Sequence, residues 1–462
     1  MSKAISRRDF MKVTGVVGAA GLLAACGGNS SSTAASSSVA SAPAASADES
    51  LALSDGPVSM TISWWGGDSR HEAYQNAIKE FQAEHTNITI EPTFAAWSGW
   101  EEKMAAAFIA GNAQDVCQVN WNWLYNYSAD GSKFVDLNTV SKFLDLTQWD
   151  AAAMDACYVA NSQQCVPVSM TGRIFFWNMT TFNKAGITEV PKSLDDLMAA
   201  GKAFKEKLGD DYYPMHLGAY DRMILMVFYL ESKYGKDWAD PVTSTLNYTE
   251  EEIAEGLAFI KSLVDNHVMM NLKTYYSANS DTATHQSNEW ITGKIAGIFE
   301  WDSAASKYSS ALDDSNKDGF TVGEEIKFGD NNGGFSKVSM GLAITKTCKN
   351  VAEAATLINF LLNEEKGASI MGSECGIPAS KAGLKFAQDA GAVKSLVAEA
   401  NAKVMAFTTN KLDPLFENND LKASGTGIYQ EVFDNIDYGD QTPEEAVETL
   451  LDGMESVGYT IG

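Results

Sequence analysis

The stretch "TISWWGGDSRHEAY", Thr61 to Tyr74, opens as a strand, carries two adjacent tryptophans, breaks at two glycines and resumes with helix formers. The same pattern extends outward. "VSMTISW" reads as a strand, and "HEAYQNAIKEFQAEH" as an amphipathic helix with Tyr74, Ala77, Ile78 and Phe81 on one face. "NITIEPTF" is a second strand. "SGWEEKMAAAFIAG" is a helix that turns Met104, Ala107 and Phe108 inward and stops at Gly111, and "DVCQV" is a short third strand. The order βαβαβ predicts a parallel sheet with right-handed crossovers.

In such a sheet a ligand sits outside the carboxyl ends of the strands. The first strand runs into Trp65-Gly66-Gly67-Asp68, the second into Ala95-Ala96-Trp97, and the third into Asn120-Trp121-Asn122-Trp123. Three loops bearing tryptophan beside small, amide or acidic residues therefore converge, and the tryptophans read as walls of a binding site. An indole face covers the apolar C–H face of a pyranose, and carboxylates or amides satisfy its hydroxyls. Gly66 and Gly67 allow close backbone approach and offer N–H donors. Strand alternation gives Trp64 to the core, and one of Trp121 and Trp123 is a candidate to join it. Trp65 and Asn120 are the leading contacts.

With 462 residues and 45% apolar content, the chain exceeds one ordinary core and is expected to form two packed lobes. A net charge of −26 argues against nucleic acid, whose phosphates need Lys and Arg. It favours neutral or cationic ligands. Ser6-Arg7-Arg8-Asp9-Phe10-Met11-Lys12 forms a twin-arginine pattern, followed by an apolar segment from Val13 to Ala25 that is too short to span a membrane. Leu23-Ala24-Ala25-Cys26 resembles a bacterial lipobox, with Cys26 as the acylated first mature residue. Cleavage there removes four positive charges and one negative, taking −26 to −29. The Ser/Ala-rich residues 26–56 read as a flexible tether.

Cys117, Cys157, Cys165, Cys348 and Cys375 show no metal-binding spacing. Cys157 and Cys165 are close enough in sequence to pair, but export in the folded state favours free thiols. "DSNKDGFTVGEE" fits a calcium-loop template, with Asp314, Asn316, Asp318, Phe320 and Glu325 at ligand positions and Gly319 at the turn. The alternatives are a structural Ca2+ and a solvated acidic loop; no other cofactor is expected.

With "VPVSMTGRIFFWN" among its pieces, the chain resembles the extracellular solute-binding proteins of bacterial ABC importers, in the sugar-binding group called family 1. The resemblance rests on "SWWGG", "AAFIAGNAQDVCQVN", "DGSKFVDLN", "FNKAGITEVPKSLDDL", "WITGKIAGIFEWDSA", "GLAITKTCKNVAEAATLINFLLNEEKG" and "GIPASK", in the family's order over nearly the whole mature chain. It implies a periplasmic-binding-protein-like α/β fold with two lobes joined by crossing strands around a ligand cleft. Residues 57–166 and 330–375 would form one lobe, and 167–329 and 376–462 the other. It also implies sugar stacking by Trp301, flanked by Glu300 and Asp302, and places Gly333 and Gly334 near the cleft; Arg173 joins the candidates. Trp290 is assigned to the core. The implied role is a lipid-anchored, extracytoplasmic monomer that captures an oligosaccharide and hands it to membrane permease subunits, without catalysis. Rival readings are a glycoside hydrolase using Glu300 and Asp302, and a receptor for a cationic solute such as a polyamine.

Overall fold

The computed structural model describes residues 50–97, 99–280 and 282–462. The signal, lipobox and most tether expectations therefore lie outside the described residues, as does Cys26. Strand β1 (Val58–Trp65) pairs in parallel with β2 (Ile88–Ala95) and with β3 (Val116–Val119). Between them run α1 (Asp68–Glu84), which buries Tyr74, Ala77, Ile78 and Phe81, and α2 (Trp100–Ala110), which buries Trp100, Met104 and Phe108. Gly111 ends α2 in the left-handed conformation, at φ 68°. Helix α3 (Asn122–Ser128) follows β3. The βαβαβ order thus folds as its hydrophobic periodicity dictates.

The sheet is mixed rather than parallel throughout. After the small hairpin β4 (Tyr158–Val159) and β5 (Ser162–Gln163) comes the long strand β6 (Val166–Asn178). It continues with β7 (Gly297–Trp301), β8 (Phe320–Val322) and β9 (Ser336–Ile344). The order is β2-β1-β3-β9-β6-β7, with β8 also on β6. Strand β9 runs antiparallel to both β3 and β6. Two returning strands thus insert into the centre of the sheet, which local periodicity cannot foresee.

The first half of β6, Val166 to Gly172, pairs with β9, and the second half, from Arg173, pairs with β7 and β8, so the strand changes partners at Gly172/Arg173. Helix α4 (Ala219–Tyr234) packs against β7. Helices α5 (Val351–Asn363), α6 (Glu365–Met371) and α7 (Lys381–Asp389) pack on one another. Finally, the end of the tether is docked. Ser54 N–H donates to Glu353 at 2.7 Å, and Asn87 donates to the carbonyls of Ser54 and Gly56.

All five described cysteines are buried free thiols. No described helix is long and apolar enough to cross a membrane.

Candidate functional site

A cavity of about 1180 Å³ opens at the carboxyl ends of β1–β3, facing β7 and the start of α4. The loop after β1 delivers Trp65 and Gly67 to its wall, the loop after β2 delivers Trp97, and β3 delivers Asn120. Trp65 is only 8% exposed, because its ring packs edge-on against Trp97 at 5.1 Å and against Trp123 at 5.5 Å. Trp97 is 40% exposed and is the open indole of the pair. Trp64 is core, stacked between Tyr74 and Phe94.

The third loop contributes its asparagine but not its tryptophans. Trp121 and Trp123 stand at the start of α3, and the helix turns both inward. Trp121 packs on Tyr125, and Trp123 donates through Nε1 to Glu101 at 2.9 Å. Gly66 N–H is occupied by Ala95 O at 3.0 Å, so it offers no donor to a ligand. Asp68 is exposed on the first turn of α1, off the wall.

The opposite wall carries Tyr220, Asp221, Glu300 and Trp301. Strand pairing sets Arg173 of β6 opposite Trp301 of β7. Arg173 lies behind the wall, 1% exposed, with Nη1 at 2.8 Å from Asp221 and 2.9 Å from Glu300. Burial would raise the Glu300 carboxyl, but Arg173 and Lys307 outweigh it and hold it low. For Asp221 burial wins over Arg173 and pushes it up to about 6. The Trp301 ring is taken up by protein cations: the Arg173 guanidinium lies 4.2 Å from its centre and the Lys337 ammonium 4.7 Å.

Asp302 turns away from the cavity. It accepts from Thr171 Oγ1 and from Asn401 Nδ2, and burial pushes it up to about 6. Gly333 and Gly334 press against Ser232 and Phe228 instead of the cleft. Gly334 adopts φ 115° and donates its N–H to Glu231 at 2.7 Å. Trp290 is fully buried.

The residue that ties the walls together is Glu417, which no local motif announces. A short 3-10 turn (Pro414–Glu417) places it at the cleft base, 2% exposed. It pairs with Lys337 of β9, accepts from Tyr220 Oη of α4 at 3.0 Å and from Asn120 Nδ2 after β3 at 3.1 Å. Lys422 lies 3.7 Å away. Burial would raise its carboxyl, yet Lys337 and Lys422 hold it down at about 2. Asn120 Oδ1 is left without a hydrogen-bond partner among the described residues.

Asp314 is exposed and pairs with Lys317 at 2.7 Å. Asn316 is buried and bonded to Asn178 and Asp313, and Phe320 begins a strand paired with β6. Among the described residues no three His, Cys, Asp or Glu side chains gather as metal ligands.

The fold matches known proteins. A periplasmic solute-binding protein of Pectobacterium atrosepticum is 33% identical, with TM-score 0.81 over 87% of this chain and 98% of that one. A periplasmic oligogalacturonide-binding protein of Yersinia enterocolitica, solved with saturated digalacturonic acid, is also 33% identical, with TM-score 0.80 over the same shares. The diacetylchitobiose-binding protein DasA of Streptomyces coelicolor is 22% identical over 304 residues, so the match spans 63% of this chain and 63% of that relative. Residues 4–24 match the twin-arginine translocation signal sequence, which points to export. With residues 67–368 matching its profile, the chain belongs to the family of bacterial extracellular solute-binding proteins, a family of binding proteins rather than enzymes.

Proposed function

We propose that this protein captures an oligosaccharide in the cleft and delivers it to permease subunits of an ABC importer, held at the outer face of the cell membrane by acylated Cys26. The observation that carries this reading is the open Trp97 indole facing a wall rich in hydroxyl, amide and charged groups, with Asn120 Oδ1 still lacking a donor. An apolar flat face next to hydrogen-bonding groups is what a pyranose requires. A cavity of about 1180 Å³ exceeds the usual range for small-ligand sites, of about 300–1,000 Å³, and suits more than one sugar unit. The relatives named for a ligand are named for saccharides. Hydrolysis by the pair Glu300 and Asp302 is disfavoured because only Glu300 reaches the wall, whereas glycosidases set two carboxylates on the bond, and the wall's Asp221 is tied with Glu300 to the same Arg173 Nη1. Thermal unfolding of the mature protein with an oligosaccharide panel tests the reading. A binding sugar should raise the midpoint with its concentration, and no shift across the panel contradicts it.

A further inference from the structure

We propose that the saccharide carries a carboxylate, and that Arg70 anchors it. This rests on the reading that the cleft takes a saccharide, and it departs from the neutral or cationic ligand that a charge of −26 favours.

The described residues contain three arginines: Arg70, Arg173 and Arg222. Arg173 ends on Asp221 and Glu300, and Arg222 on Asp437 at 2.8 Å, so both charges are compensated by buried carboxylates. Arg70 differs. It lines the cavity, and its guanidinium is held by two main-chain carbonyls, Nε to Glu374 O at 2.9 Å and Nη1 to Trp65 O at 3.2 Å. Carbonyls fix the side chain without cancelling its charge. The Glu374 carboxylate is engaged elsewhere, by Lys394 at 2.8 Å and Ser69 at 2.7 Å. Arg70 forms no ion pair among the described residues, and its remaining N–H donors suit a carboxylate.

The turn is built around this side chain. A Cβ added to Gly66 would stand 2.5 Å from Arg70 Cδ, so the glycine lets Arg70 lie across the loop toward Trp65. At the other end of the Trp65–Trp97 pair, the Lys422 ammonium lies 5.6 Å from the Trp97 ring centre. It pairs with the buried carboxylates of Glu101 at 3.5 Å and Glu417 at 3.7 Å. Of the two cations beside the Trp65–Trp97 pair, Arg70 is therefore the one without a carboxylate partner among the described residues. A uronic acid matches that layout, with an apolar ring face for Trp97 and a carboxylate at the ring edge for Arg70. A neutral sugar would bury the Arg70 charge without a counter-charge, which is costly.

The test is calorimetric titration of the mature protein with oligosaccharides of two to four galacturonate, glucuronate or mannuronate units, and with their carboxyl-reduced counterparts. The expected result is that at least one uronate oligosaccharide binds and its reduced counterpart binds at least tenfold more weakly. Arg70→Gln should lose at least tenfold in uronate affinity, and Arg70→Lys should keep part of it. The comparison of acidic and reduced sugars uses the unaltered protein, so it holds even where a variant folds poorly. A reduced sugar binding as tightly as its uronate, or a folded Arg70→Gln with full affinity, overturns the proposal. Binding of reduced but not acidic sugars overturns the carboxylate assignment and leaves the saccharide reading intact; no binding in either set overturns both.

Discussion

The Arg173 guanidinium lies 4.2 Å from the centre of the Trp301 ring, with its charge balanced by Asp221 of α4 and Glu300 of β7. The indole thus caps a buried ion cluster. Trp97, by contrast, is 40% exposed, and the nearest cation, Lys422, stands farther off, 5.6 Å from its ring centre.

The two tryptophans should respond differently to truncation. Trp97→Ala should weaken ligand binding about ten- to hundredfold, since a stacked aromatic contributes about 1–3 kcal/mol and about 1.4 kcal/mol is tenfold. Its unligated melting temperature should hardly move. Trp301→Ala should cost about 2 kcal/mol of stability by stripping the cation–π contact from a desolvated arginine. Calorimetry and thermal unfolding of both variants check this; equal loss of stability in both would remove the distinction.

Glu417→Gln keeps the shape of the hub but leaves Lys337 buried without its counter-charge. Breaking a buried pair by removing one partner costs about 3–5 kcal/mol. The urea midpoint should fall accordingly, and adding Lys337→Met should recover much of the loss. A midpoint shift worth less than about 1 kcal/mol would mean the hub is not structural.

Asp302 sets a pH signature. Its folded carboxyl stands at about 6, above the usual value for an aspartate in an unfolded chain, about 3.9. The folded state therefore holds more protons between about pH 4 and 6, and this group's contribution to stability declines as pH rises through that window. Asp302→Asn should flatten the decline, leaving the part due to Asp221, which is raised to the same value by burial. Unfolding free energy measured from pH 4 to 7 in both proteins checks the slope; an unchanged slope in the variant excludes Asp302 as its source.

Gly334→Ala should destabilise the fold. The residue adopts φ 115°, and an added Cβ would meet the Phe228 ring at 2.5 Å. Because Gly334 lies off the cavity wall, the affinity of folded protein should stay as it was. Lost affinity with unchanged stability would return Gly334 to the binding site.

The part of the cavity wall carried by local pattern is legible in the sequence. Trp65, Trp97 and Asn120 follow from strand ends in a βαβαβ run, and that run folded through its own hydrophobic periodicity. Trp121 and Trp123 fall off the wall because α3 begins at Asn122 and rotates both inward, a one-residue matter that composition does not resolve. Glu417 was invisible because its partners, Asn120, Tyr220 and Lys337, lie far away in the chain and meet only through the inserted strands β6 and β9. Arg70 is illegible in the sequence for a different reason. Its side chain matters because two main-chain carbonyls, one of them 304 residues away, hold it without neutralising it.

The central claim is that the cleft binds an oligosaccharide without altering it. Titrating the mature protein with the saccharide panel in a calorimeter, then recovering each bound sugar for mass spectrometry, tests it most directly. The account predicts saturable binding at one ligand per chain, with the sugar recovered intact. Absence of binding across the panel, or recovery of shortened products, would contradict it.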